Sequence, residues 1–149
     1  MNIKLADIND LQHIVPLFNA YRVFYKQPSD ITGAEAFVRE RLQNGDSKIY
    51  LAFIDGKAAG FTQLYPIFSS VSMGKAWLLN DLYVDADCRK RGVGKALLDM
   101  AKALGAEQQA KWIMLQTDTT NTTAQKLYED NDFEKDHCFT YFHTIKKEA

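Results

Sequence analysis

Four cationic side chains surround two glycines in Arg89-Lys90-Arg91-Gly92-Val93-Gly94-Lys95, between an apolar strand-like segment and an apolar helix-like one. Such a run suits a polyphosphate. Glycines at 92 and 94 carry no Cβ, so backbone N–H groups can turn toward one anion, and a helix opening here adds the positive end of its dipole. The basic side chains supply counter-charge. Two well-known phosphate loops do not fit. A Walker A loop needs glycine where Arg89 stands and Ser or Thr where Ala96 stands. The dinucleotide fingerprint would put its third small residue on Leu97, and it follows the first strand of a parallel sheet, whereas several strand candidates precede this loop. A phosphate loop of another kind remains.

The elements that must position this loop read as mixed α and β. Ile3 to Ala6 alternates as a short strand, and Asp7 or Asn9 can cap a helix bearing Leu11, Ile14, Val15, Phe18, Tyr21, Val23 and Phe24 near helical spacing, with Pro16 inside it. A second helix is predicted from Gly33 to Asn44, stopped by Asn44-Gly45. Lys48 to Ile54 and Lys57 to Tyr65 flank Asp55-Gly56, a two-residue hairpin signal. Residues 66–74 read as a loop, and Ala76 to Val84 as a buried strand leading into the basic loop. Ala96, Leu97, Met100, Ala101 and Leu104 stripe the following helix, Trp112 to Thr117 returns as a strand, and strand, loop, helix and strand make a right-handed crossover. Asn121 to Asp130 is a short helix. Phe133 and Cys138 to Ile145 supply the last strands.

At 149 residues, 46% apolar and 25% charged, the chain fits one domain spanning 1–149 with a core of its own. The net charge of −1 makes the basic loop a local concentration on a balanced background, which argues against nucleic acid as a partner. Cys88 and Cys138 have neither metal-site spacing nor the number for a disulfide framework, and no apolar run is long enough for a signal peptide or membrane span. These features fit a cytoplasmic protein without a resident metal.

A second constellation follows at Asn121-Thr122-Thr123-Ala124-Gln125-Lys126-Leu127-Tyr128-Glu129, with Phe133 a few residues on. Together with Arg89-x-x-Gly92-x-Gly94 it resembles the GCN5-related N-acetyltransferase (GNAT) superfamily. Asn80-Asp81-Leu82-Tyr83-Val84 ahead of the loop, and Tyr21-Arg22-Val23-Phe24-Tyr25, look most similar to the yeast-type histone and polyamine enzymes and the diamine acetyltransferases. The resemblance implies a mostly antiparallel mixed sheet of about six or seven strands, a parallel pair at the coenzyme site and about four helices. It implies acetyl-CoA as cosubstrate. Backbone groups of Leu82, Tyr83 and Val84 would bond the pantetheine arm like an added strand. The Arg89, Lys90, Arg91, Gly92, Val93, Gly94 and Lys95 loop would hold the pyrophosphate, Asn121 with Ala124 beside it would bind near the pantetheine, and Tyr128 would stand by the sulfur. A glycine usual before Phe133 is here Asp132, so the turn there is expected to differ. A homodimer is implied by the superfamily and by the apolar segment Phe139 to Ile145.

Acetyl transfer from a thioester to an amine needs a neutral amine, a polarised carbonyl and a proton for the departing thiolate. Tyr128 is the expected general acid, and Asp81 the candidate base or amine anchor. Asp81 also has the plainer reading of a carboxylate bonding loop backbone. His137 and His143 qualify as bases on pKa alone but read as ordinary strand residues. A diamine acetyltransferase carries glutamate where Asn80 stands, which counts against a polyamine acceptor. Cys88 beside three cations raises an acyl-enzyme route, disfavoured because it would lie by the pyrophosphate. Cys138 reads as an apolar strand residue. Tyr21, Phe24, Tyr25, Tyr65, Phe68 and Trp77 divide between core and an amine pocket. The acceptor is a small amine, amino acid, polyamine or lysine side chain; the rival reading is a non-catalytic acetyl-CoA-binding sensor.

Overall fold

The structure, a computed structural model, describes residues 1–147. Five strands, β1 (Asn2–Leu5), β2 (Lys48–Ile54), β3 (Lys57–Ser69), β4 (Gly74–Val84) and β5 (Ile113–Met114), form one sheet in that order. The first four pair antiparallel, and β5 lies parallel to β4. Four helices accompany them: α1 (Leu11–Phe24), α2 (Ile31–Asn44), α3 (Val93–Glu107) and α4 (Thr122–Asp130).

Strand periodicity divides the core. In β2, Ile49 and Leu51 point to one face, where they meet Ile14 and Phe18 of α1 and Val38 of α2. Tyr50 and Ala52 point to the other, where Leu97, Leu98, Ala101 and Leu104 of α3 pack with Leu64, Trp77 and Leu79. The near-continuous apolar run of β2 is what burial on both faces demands. Pro16 sits inside an unbroken α1, whose start follows a 3-10 turn (Ile8–Asp10) capped reciprocally by Asp7 and Asp10.

Two local departures from regularity shape β4. Gln63 faces Asp81 while Leu64 faces Leu79, so Asn80 is an extra, bulged residue. Among the described residues, β4 pairs with β5 only through Trp77–Ile113 and Leu78–Met114, and from Leu79 to Val84 no strand lies along that edge.

Several boundaries differ from the sequence expectation. The predicted loop over 66–74 is mostly hairpin: Pro66 to Ser69 pair with Trp77 to Gly74, and only Ser70 to Met73 turn. α2 begins at Ile31, because the Asp30 carboxylate accepts from the Gly33 amide at 2.9 Å and caps the helix earlier. The strand expected over Trp112 to Thr117 keeps only its first part, since β4 diverges from it. Among the described residues, the strands expected at Phe133 and Cys138 to Ile145 do not form, which leaves five strands in place of six or seven. The turn after α4 is the usual one despite Asp132. That residue takes φ +70°, with Phe133 N–H on the Tyr128 carbonyl and Asp132 N–H on that of Glu129, the pattern of a helix end that normally uses glycine.

Candidate active site

The basic loop follows β4 and a short 3-10 turn (Ala86–Cys88). Lys90 and Gly92 take φ of +62° and +82°, bending the chain so that α3 starts at Val93. The Val93 side chain is buried against the core and fixes that start. Among the described residues, the amides of Arg91 to Lys95 donate to no backbone carbonyl; the first helical bond runs from Ala96 N–H to Gly92 C=O at 3.1 Å. Successive free amides at a helix N-terminus form an anion cradle. Gly94 lies against α4, since a Cβ there would come within 3.1 Å of Leu127 Cδ2.

The loop's side chains divide their work. Arg89 Nε donates to the Val84 carbonyl at 3.1 Å, and its guanidinium lies over the rings of Tyr83 and Phe24. Lys95 pairs with Asp99 at 2.8 Å on the exposed face of α3. Lys90 and Arg91 are exposed and have no acidic partner among the described residues. They are the loop cations free for an incoming anion.

α4 brings Asn121 and Tyr128 toward the end of the sheet. The Asn121 side-chain oxygen caps the helix by accepting from Ala124 N–H at 3.1 Å, which leaves its amide nitrogen free. Tyr128 is half-buried with its ring edge-on to Phe133, and its hydroxyl has no hydrogen-bond partner among the described residues. Burial, with the nearby Tyr25 hydroxyl adding to it, pushes the phenol up to about 12, so it stays protonated near neutral pH.

On the other face of β4 a cavity of about 420 Å³ opens between α1, α2 and the sheet. Aromatic rings of Phe18, Tyr21, Phe37 and Tyr65 wall it, and Asp81 and Asn80 lie at the sheet. Asp81 is almost wholly buried. Gln63 Nε2 and Asn80 Nδ2 each donate to one of its oxygens at 2.6 Å, and Ser47 Oγ holds Gln63 in turn at 2.9 Å. Burial raises the Asp81 pKa, and the hydrogen bonds from Gln63, Asn80 and Tyr21 only partly offset that. The Tyr21 hydroxyl also reaches the Asn80 carbonyl at 3.2 Å, and burial and Asp81 raise its pKa. A carboxylate so placed can take a proton from an amine in the cavity.

Of the aromatic residues singled out from the sequence, Tyr21 and Tyr65 line the cavity, Trp77 is core, Phe68 is exposed, and Tyr25 lies near enough to feel Asp81 and Asp118. None of the three histidines lines the cavity. Cys88 is buried in the α3 core, and Cys138 is exposed, not packed in a strand. Sequence reasoning missed Gln63, whose signal was a polar residue inside the apolar run of β3, and Asp30 and Phe37 of the cavity wall, which carried none; Arg22 of that wall stood in the Tyr21 to Tyr25 segment without a role of its own.

Comparison with known proteins follows the same lines. The model of the acetyltransferase (GNAT) family matches residues 14–133. An uncharacterized N-acetyltransferase of Bacillus subtilis (strain 168), YhfO, is 48% identical over 142 residues, covering 95% of each chain. The crystal structure of a probable acetyltransferase superposes with a TM-score of 0.94 at 38% identity, over 99% of this chain and 100% of that one. The ribosomal-protein-alanine N-acetyltransferase of Brucella melitensis biovar Abortus 2308 shares the fold, with a TM-score of 0.80 at 23% identity over 97% and 100% of the two chains.

Proposed function

The chain belongs to the acetyltransferase (GNAT) family, and within it we propose an acetyl-CoA-dependent N-acetyltransferase that passes the acetyl group directly to a primary amine. The observation that carries this reading is the arrangement about β4: its unpaired edge and the free amides of Arg91 to Lys95 suit a long phosphorylated donor, while the other face opens to an aromatic cavity ending at Asp81.

Acetyl-CoA would supply an activated thioester. The amides of Arg91 to Lys95, with Lys90 and Arg91, would hold its pyrophosphate; Arg89 positions the loop through Val84 and Tyr83. Backbone groups of Leu82, Tyr83 and Val84 would bond the pantetheine arm, with the free Asn121 amide beside it and Ala124 on the same helix turn. The amine would enter among the rings of Phe18, Tyr21 and Tyr65, where aromatic faces and a carboxylate both favour an ammonium. Asp81 would take its proton. Tyr128 would donate a hydrogen bond to the sulfur as it leaves; a phenol held near 12 against a thiol near ~8.5 steadies the thiolate without giving up its own proton completely.

The acceptor class is a small amine, amino acid, polyamine or lysine side chain, in a cytoplasmic setting, and the active unit is a homodimer. Incubation with acetyl-CoA and a panel of these amines, following free thiol and the mass of the amine, tests the reading. Acetylated product from one class supports it. Tight acetyl-CoA binding without turnover on any amine or lysine-bearing protein would favour a sensor instead.

A further inference from the structure

We propose that the cavity beside Asp81 selects an amine that also carries a carboxylate, an amino acid of the α- or ω-amino kind, and that Arg22 is the residue that selects it. This deepens the functional reading above and rests on it for the acetyl step. Arg22 stands four residues after Phe18 on α1, so both lie on the helix face that walls the cavity, Arg22 one turn farther out. It is half-buried, yet among the described residues it has no carboxylate partner. Its one hydrogen bond is long, 3.4 Å from Nη1 to the Pro28 carbonyl. The last turn of a helix suits a cation through the helix dipole, but a side chain turned wholly to water would serve that purpose as well. Half-buried in an aromatic wall, the guanidinium gives up part of its hydration without gaining a counter-ion. A bound anion would supply one.

The two carboxylates of the cavity differ in the same respect. Asp30 Oδ1 accepts from the Gly33 amide at 2.9 Å, and Oδ2 lies where a Cβ on residue 33 would collide with it. Its charge is matched by the N-terminus of α2. Asp81 has no cation beside it, only the neutral amides of Gln63 and Asn80. The cavity therefore presents one unmatched negative group at β4 and one unmatched positive group on α1. An amino acid matches both, its amine toward Asp81 and its carboxylate on the guanidinium fork, which takes a carboxylate through two parallel hydrogen bonds. That orientation sets the amine, not the acid, at the strand along which the thioester would lie. A polyamine would bring a second ammonium to Arg22, and the second charge of a phosphate would meet Asp30 in the same wall. The rings of Phe18, Phe37 and Tyr65 leave room for an apolar side chain between the two charges.

Acetylation kinetics on matched pairs test this: both enantiomers of phenylalanine and leucine, and γ-aminobutyrate, against phenethylamine, isoamylamine and propylamine, the same molecules without the carboxylate, with spermidine as the polycation. The wild type should favour at least one acid over its amine. In Arg22→Ala the acid-to-amine ratio of kcat/KM should fall about 10–10²-fold, chiefly through KM, and Arg22→Lys should restore part of it. Comparing one pair across the variants cancels differences in amine basicity. Equal losses on both members of a pair would make Arg22 a structural residue, and a wild type that prefers the plain amines or spermidine would overturn the proposal. Calorimetry of the same acids with CoA in place of acetyl-CoA reads the cavity without turnover. Acid binding that weakens about 10–10²-fold in Arg22→Ala, with no acetylation of any acid, would uphold the ligand class and refute acetyl transfer to it. Acids that do not bind, or bind equally to Arg22→Ala, would overturn the proposal and leave acetyl transfer to the other amines standing.

Discussion

Replacing Tyr128 by Phe removes one oxygen and little else. The ring keeps its edge-on contact with Phe133 and its place against the α3 core, and the hydroxyl has no described partner to leave stranded. Stability should therefore change by less than about 1 kcal/mol. Catalysis should change far more. Losing a donor aimed at a charge that develops only as the thiolate leaves costs about 10²–10³ in kcat, on the order of 3–4 kcal/mol of barrier. Acetyl-CoA binding should be nearly unaffected, because the sulfur carries no charge in the ground state. The pH profile adds a check. A phenol pushed up to about 12 remains protonated through the working range, so no descending limb below about pH 11 should belong to Tyr128, and the Phe variant should keep the wild-type profile at a lower plateau. Steady-state kinetics for kcat and KM, with calorimetry for acetyl-CoA, would measure all three. Unchanged turnover refutes the role, and a loss of acetyl-CoA affinity as large as the loss in kcat makes Tyr128 a structural residue.

Asp81→Asn should lower kcat by about 10²–10⁴ and remove the acidic limb of the rate profile, since the base form exists only above the raised folded pKa and is lost as pH falls through it. The same variant should alter stability in the opposite sense: the folded state binds this proton more tightly than the unfolded chain, so stability from the group is fully present below 3.8 and lost as pH rises through the folded value, and urea titrations at several pH values should show that loss in the wild type and not in Asn. Exposed Asn80 can turn its oxygen to the new amide, which keeps the site satisfied. Gly92→Ala meets open space but must hold φ +82°, so thermal unfolding should show a cost of about 1–2 kcal/mol and calorimetry a weaker grip on acetyl-CoA, about tenfold. Asp132→Gly should gain up to about 1 kcal/mol in denaturant melts by relieving φ +70° after α4, with its distant partner Lys102 at 3.8 Å contributing little in compensation.

Local chemistry was what the sequence made legible. The glycines and cations of the basic loop, the Asp55-Gly56 hairpin and the α3 stripe depend on near neighbours, and each appears where its residues stand. What escaped depends on distant ones. The β3–β4 hairpin runs on through Pro66 because Trp77 and Ala76 lie opposite, although Ser70 to Met73 lacks strong turn residues. β5 is cut short by the divergence of β4, which no residue of 112–117 announces. Gln63 meets Asp81 across a bulge at Asn80, and the bulge exists only in the paired register. The segment 138–145 reads as a strand by alternation, yet a strand needs an edge to pair with. Asp132 shows the converse: the helix end imposed its geometry on a residue that does not prefer it.

Hydrogen exchange of the backbone with and without acetyl-CoA tests most directly whether the donor lies along β4 and the basic loop. New protection is expected to concentrate at the amides of Arg91 to Lys95 and along Leu82 to Val84, which are the start of α3 and the open edge of β4. Protection elsewhere, with those two segments unchanged, would contradict it.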